Sequence, residues 1–400
     1  MGKKILMLGA PASQIPIIQT AKKMGLYVGI IDINPAAEAV PYANESFQCS
    51  LKDFDHLLSI ANSFHPDGIV TGACDAGVVA SSYLCSELGL PGHSPETAIN
   101  ATNKLKMLKA FEKNNVAHPM FQVANKDNID TFKMTIPYPA ISKPVDNSGS
   151  RGICFIENES QLNEALLYSV KSSTSGDILV EEYMSGPEVS VEVIVINGVP
   201  HVLQITDKIT SGQPYFFEIG HSQPSSLPDE TKNRIRELAK QACIAVGIQN
   251  SPAHVEIKIT ENGPKMVELG ARMGGDCIST YLLNTSVKGF AFAETAIRIA
   301  LGEPIENISY DESGNAAAVR FILAQEGTIQ SITGVEEAQK IEGVILLQIS
   351  AGEGQHYQKT VDNASRIGFV VAKGKTTEEA LAICEKSIDS ICIQYTKSGV

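Results

Sequence analysis

The chain has 400 residues, 43% of them hydrophobic and 19% charged, and carries a formal net charge of −13. That length exceeds a single hydrophobic core and predicts roughly two to four structural units. The acidic balance argues against nucleic-acid binding, which relies on clustered Lys and Arg, and no apolar run approaches the roughly 20 residues that span a bilayer.

Residues 4–9 read as an apolar strand; the apolar part is too short for a signal peptide, which predicts a cytoplasmic protein. A helix over 15–24, a strand over 27–33, a helix over 53–63, a strand over 68–71 and a helix over 77–88 follow. This alternation predicts a parallel sheet covered on both faces. The first turn, Gly9-Ala-Pro-Ala-Ser-Gln, lacks the G-x-G-x-x-G fingerprint, so Asp32 is read as scaffold rather than as part of a nicotinamide site. Pro91-Gly92 and Ser94-Pro95 punctuate the chain and open a helix over 95–114. Strands are expected over 138–145, 154–157, 178–183 and 188–196, with a helix over 159–169. An amphipathic helix covers 229–246, a hairpin 254–269, and a last α+β unit follows the polar stretch 302–314. Eight cysteines form no C-x-x-C pair, so neither a zinc site nor a disulfide framework is expected.

The stretch 254–276 carries the most chemistry. Strand alternation puts His254, Glu256 and Lys258 on one face. Symmetric pairing about a turn through Asn262-Gly263 sets Glu256 opposite Glu268. Opposed carboxylates with Cβ atoms about 4.5–5.5 Å apart repel, and a divalent cation shared with triphosphate oxygens turns repulsion into binding. A solvated hairpin whose acids pair with Lys258 and Lys265 is the alternative. Arg272 either offsets charge on a transferring phosphoryl group or closes a surface turn with a salt bridge. Asp276, four residues later, either borders the pocket of an incoming amine or caps a helix starting near Cys277. In the stretch 139–157, a strand with Lys143 runs into a loop containing Ser148, Gly149, Ser150 and Gly152, whose N–H groups can cradle phosphate. In the stretch 178–193, Glu181-Glu182-Tyr183-Met184 precedes a Gly-Pro turn and Glu188, either a break that presents backbone to a base and a carboxylate to a ribose or an ordinary solvated acidic turn.

Lys104, Lys143 with its loop, Glu181 to Met184 with Glu188, then Glu256 and Glu268-x-x-x-Arg272 resemble, in order and spacing, the ATP-grasp superfamily of carboxylate–amine ligases. The resemblance covers nearly the whole chain. It implies a mixed α/β and α+β architecture: an N-terminal parallel α/β domain at 1–95, an ATP-grasp domain at 96–310 with a mobile lid at about 120–185, and a C-terminal α+β domain at 311–400. ATP and Mg2+ are the implied cofactors. Lys104, Lys143 and the loop would contact phosphates, and Glu181, Glu182, Tyr183 and Met184 would meet adenine, largely through the main chain. Glu188 would bind ribose, Glu256 and Glu268 magnesium, and Arg272 the transferred phosphate. Arg320 resembles an arginine that biotin-carboxylase-like members aim at the substrate carboxylate, and His221 a polar residue near the phosphates. Gly270 stands where many members carry an Asn metal ligand, and E-x-G-A-R with its glycine pair resembles the L-amino-acid ligase branch.

The implied activity joins a small-molecule carboxylate, an amino acid or related acid, to an amine through an acyl phosphate, in a homodimer. Two alternatives stand beside it. A purine-pathway ligase or carboxylase needs a basic pocket for a ribose phosphate, and the uncharged first turn supplies none. A non-catalytic ATP-binding sensor is expected to lack a metal carboxylate or a phosphate lysine, and candidates for each are present.

Overall fold

The computed structural model describes residues 2–147, 149, 151–306, 308–312 and 315–396. Strands β1 (Lys4–Leu8), β2 (Tyr27–Asp32), β3 (Glu45–Gln48) and β4 (Gly68–Val70) form a parallel sheet in the order β3-β2-β1-β4. In β1, Ile5 and Met7 pack to one side and Leu6 and Leu8 to the other. The period of two therefore feeds two cores. One core takes α1 (Ile15–Lys23), and the other takes α2 (Phe54–Phe64) and α3 (Asp75–Leu88). Strand β3 was not expected; its Glu-Ser-Phe-Gln sequence is mostly exposed at the sheet edge and carries no apolar pattern.

The helix expected over 95–114 is two helices, α4 (Pro95–Thr102) and α5 (Lys104–Lys113). Asn103 between them is extended, and its side chain accepts the Lys106 N–H at 3.0 Å. An N-cap inside an apparently continuous pattern thus restarts the helix. The break places Lys104 at a helix start, where its N–H donates to the Val145 carbonyl at 2.9 Å.

Residues 121–182 form a separate antiparallel sheet of β5 (Phe121–Asn125), β6 (Ala140–Pro144), β7 (Cys154–Ile156) and β8 (Asp177–Glu182), ordered β5-β8-β6-β7. Its core lies under α6 (Glu159–Ser172). Among the described residues, the largest sheet has eight antiparallel strands. Five are β9 (Glu188–Ile196), β10 (Val199–Thr210), β11 (Glu218–Gln223), β12 (Ser251–Thr260) and β13 (Gly263–Gly270), in the order β13-β12-β9-β10-β11. Strands Ala316–Leu323, Arg366–Gly374 and Val344–Ile349 continue it, so the sheet runs on past residue 310. Helix α7 (Asp229–Val246) covers one face by burying Ile235, Leu238, Ala239, Ala242, Cys243 and Val246, a helical apolar stripe. No helix among the described residues is long and apolar enough to cross a membrane.

Candidate active site

The hairpin of β12 and β13 places Glu256 opposite Glu268. The turn that does this is not the symmetric one. Thr260 pairs with Gly263 and Ile257 with Met266, and a register shift between Glu256 and Ile257 then passes over Val267. A β-bulge of this kind re-aims the following side chain, and it restores the pairing of the two carboxylates. Both line a cleft of about 320 Å³ between the central sheet and the 121–182 subdomain.

Every candidate carboxylate in that cleft has a cation on it. Lys104 Nζ lies 2.8 Å from Glu268 Oε2 and donates to the Asn147 carbonyl at 2.9 Å. Lys208, on β10 and only 4% exposed, lies 2.6 Å from Glu188, 2.9 Å from Glu256 and 3.3 Å from Glu218. Burial alone would depress its ammonium, but the three carboxylates raise it well above the ordinary lysine value. Burial likewise favours neutral Glu256, yet Lys208 and His254 hold its carboxyl well below the usual range. Lys143 is buried and lies 2.7 Å from Glu181. Lys208 and Glu218 were not foreseen. The available signal was alternation in β10, which puts Gln204, Thr206 and Lys208 on one face, the first two of them buried polar residues.

Two further contacts fix the charged side chains. Asp75, the first residue of α3, accepts from Arg272 Nε at 2.5 Å, tying the N-terminal unit to the cleft. Gly270 makes room for this: a Cβ there would lie 3.1 Å from the Arg272 Cζ. Beneath the cleft, fully buried Glu192 on β9 lies 2.5 Å from His254 Nδ1, and it accepts from Ser279 Oγ at 2.9 Å and from Gly274 N–H at 3.2 Å. The other His254 nitrogen lies 3.3 Å from Glu256. Burial disfavours the imidazolium, but Glu192 and Glu256 push its pKa up to about 9.

Asp276 does not cap a helix. The five-residue turn Ile278–Leu282 has Cys277 at its start and no side-chain cap. Asp276 instead meets Arg366 in a two-point pair, 2.7 Å from Nη2 and 3.0 Å from Nη1. Burial raises its carboxyl, but His221 and Arg366 outweigh that and hold it far below the usual carboxylate range. A carboxylate so stabilised accepts a proton less readily, which favours an electrostatic role over a general-base one. His221 is 1% exposed, with Nε2 3.6 Å from Asp276 Oδ2, and neither ring nitrogen has a hydrogen-bond partner among the described residues. Asp276 lines the cleft and also a second cavity of about 240 Å³, and Asn363 is likewise shared by both walls.

The other expected residues are divided between the cleft and its surroundings. Glu181, Glu182, Tyr183 and Met184 are absent from the described lining of the cleft. Glu182 pairs with Lys265, Glu181 acts through Lys143, and Tyr183 packs in an aromatic group with Phe155 and Phe216. Gly149 lines the cleft; Gly152 faces away, where a Cβ would lie 2.5 Å from Ser172 Cβ. Ser148 and Ser150 lie outside the described residues. Arg320 is a correction. On its strand it pairs with Gly220, whereas the cleft residue His221 pairs with Val319. Alternation therefore sends Arg320 to the opposite sheet face, where it meets Glu385 at 2.9 Å. Arg366, unforeseen, is the arginine at the cavity junction.

Comparison with known proteins adds an independent reading. A family model described as "ATP-grasp domain" matches residues 136–280, and one described as "L-amino acid ligase C-terminal domain 2" matches residues 320–396. The chain is 24% identical over 335 residues to carnosine synthase 1 of Gallus gallus, covering 76% of this chain and 36% of that protein. It thus spans about a third of that relative's length. It is 29% identical over 250 residues to alanine–anticapsin ligase of Bacillus subtilis (strain 168), covering 55% of this chain and 51% of that one. The solved structure of L-amino acid ligase from Bacillus licheniformis superposes with a TM-score of 0.85 at 25% identity, covering 99% of each chain.

Proposed function

We propose that this chain, which belongs to the ATP-grasp carboxylate–amine ligases, joins an amino acid or related small acid to an amine through an acyl phosphate. One observation carries the reading: a cleft that gathers lysine and arginine side chains with carboxylates shares Asp276 in its wall with a second cavity. The cleft gathers Lys104, Lys143, Lys208 and Arg272 with Glu188, Glu256 and Glu268. Lys104 and Lys143 bind the phosphates of ATP, Glu188 the ribose, and Arg272 the phosphoryl group in transfer. The substrate carboxylate attacks the γ-phosphorus and ADP leaves. The acceptor's ammonium loses one proton to solvent, the free amine nitrogen attacks the acyl carbon, and phosphate departs with the electrons of the C–O bond and carries off the second N–H proton.

The facing carboxylates of Glu256 and Glu268 fit magnesium, a hard cation that takes a few carboxylates and completes its shell with phosphate and water. When bound, magnesium would neutralise charge on the triphosphate. Gly270 offers no third side-chain ligand. Lys208 and Lys104 already sit on these two carboxylates, so Glu256 and Glu268 would be free to hold magnesium only with triphosphate present to take up the lysines. Magnesium and nucleotide are therefore expected to bind together. Calorimetry with MgCl2 alone is expected to show no saturable binding at millimolar concentration, whereas addition of a non-hydrolysable ATP analogue produces it. Tight magnesium binding without nucleotide would overturn the exchange.

A purine-type substrate is disfavoured by the same junction. Among the described residues lining the second cavity, Arg366 is the sole cation and already holds Asp276, which leaves no basic cluster for a ribose phosphate. The test of the function is a panel of amino acids and amines, with ADP release and product mass measured together. The expected product has the mass of donor plus acceptor less water; a product heavier than the acid by one phosphate only would point away from ligation.

A further inference from the structure

Strands β9 and β12 carry a row of polar residues on one sheet face. Glu188 stands opposite Lys258, Ser190 opposite Glu256 and Glu192 opposite His254. Glu188, Ser190, Glu256 and His254 line the cleft, whereas Glu192 is fully buried behind them. The Glu192 carboxylate has two arms. Oε1 accepts from His254 Nδ1 at 2.5 Å, and Oε2 accepts from Ser279 Oγ at 2.9 Å and from the Gly274 N–H at 3.2 Å. The two donors of the second arm bracket Asp276 and Cys277, whose φ values are 50° and 66°. Successive left-handed non-glycine residues persist only where their surroundings over-determine them, and one carboxylate that holds both ends of the turn does so. Gly274 is required by that approach, because a Cβ there would lie 2.6 Å from both Glu192 Oε1 and His254 Nδ1. The turn runs directly into the π-helical segment Ile278–Leu282, an irregularity that gathers at functional sites. Gly275, Asp276 and Ile278 face the cleft.

We propose that Glu192 is a positioning residue that carries the state of Glu256 to the turn 274–279, so that filling the metal and phosphate end of the cleft firms the turn bearing Asp276. The inference rests on the ligase reading above. His254 Nε2 lies 3.3 Å from Glu256, so one rigid ring is shared between two carboxylates. With Glu256 engaged by metal and phosphate, the ring is left to Glu192 alone. The carboxylate that holds Gly274 and Ser279 is then itself held harder. Glu192→Gln cannot do the same, because an amide has one acceptor oxygen for two arms.

Glu192→Gln also disturbs a buried charge, so the test falls on Ser279, at the far end of the turn arm. Ser279→Ala removes one contact and leaves the carboxylate in place; Ser279→Thr keeps the hydroxyl. Calorimetry measures binding of MgCl2 with a non-hydrolysable ATP analogue, and hydrogen exchange is followed in peptides covering 273–282 with and without that pair. In the unaltered protein the pair is expected to slow exchange in this segment at least about fivefold, the lower end of coupling between sites. Exchange reads rare openings of the turn, so Ser279→Ala is expected to bind the analogue with unchanged affinity and lose most of the slowing. Ser279→Thr is expected to retain it. Slowing that survives in Ser279→Ala would overturn the coupling, since it would come from nucleotide touching the turn directly. Unchanged exchange in the unaltered protein with the analogue bound would also overturn it, and would leave the ligase reading standing. Affinity lost in Ser279→Ala in step with the slowing would reduce Glu192 to a structural anchor. No saturable binding of analogue and magnesium by the unaltered protein would remove the nucleotide site of the ligase reading and the coupling with it.

Discussion

Glu268→Gln is expected to reduce ADP formation by at least about 10³-fold, a barrier increase of about 4 kcal/mol, with little change in thermal stability. The substitution keeps the shape of the side chain and removes its charge. Glu268 contributes one of the two opposed carboxylates, and its partner Lys104 retains the Asn147 carbonyl when the charge is gone. The ion pair is partly solvated, with Glu268 29% exposed, so its loss has a small effect on folding. Glu256→Gln differs. Its carboxylate lies against Lys208 and His254 in a more enclosed place, so stability and turnover are expected to fall together. Turnover in Glu268→Gln like that of the unaltered protein, measured by ADP release at saturating magnesium, would sink the metal assignment.

The candidate site was legible where local pattern decides it. Strand period and turn residues placed Glu256 and Glu268 together although the turn was misplaced by one residue, because the bulge at Val267 compensated for the error. Lys143 could be read from a strand running into a glycine-rich loop. Three kinds of information were out of reach. Sheet-face parity was one: Arg320 lies in an apolar strand, Ala316–Leu323, whose two faces are both covered, so no polar alternation says which face meets the cleft. Long-range pairing was another. Arg272 meets Asp75 across 197 residues and Arg366 meets Asp276 across 90, and neither partner carries a local signature. The third was a cap hidden inside a helical pattern, at Asn103. Besides the alternation in β10, a second signal was available and unused. Glu192 interrupts the run Val-Ser-Val-Glu-Val-Ile-Val-Ile of β9, and a carboxylate in a strand buried on both faces calls for a cation beside it.

That cation is His254, and its removal is expected to destabilise the fold. His254→Leu strands a fully buried carboxylate, Glu192, whose remaining partners are Ser279 Oγ and the Gly274 N–H. Breaking one side of a buried pair costs about 3–5 kcal/mol, whereas replacing both sides by apolar residues is often neutral. The double variant Glu192→Leu/His254→Leu is therefore expected to regain much of the stability lost by the single one, a non-additivity that the double-mutant cycle reads directly. The pair also predicts a pH response. The folded pKa of His254 is raised from 6.5 to about 9. Its contribution is thus complete below pH 6.5, declines as pH rises, and is lost above about pH 9. A shift of this size corresponds to about 3 kcal/mol. Thermal unfolding of the metal-free and nucleotide-free protein is expected to fall between pH 6.5 and 9.5, with the double variant showing a much weaker slope. The comparison matters because Glu256 and Lys208 also face this region, and only a slope that disappears with the pair belongs to it. Equal slopes in the two proteins would show that Glu192 does not hold His254 charged.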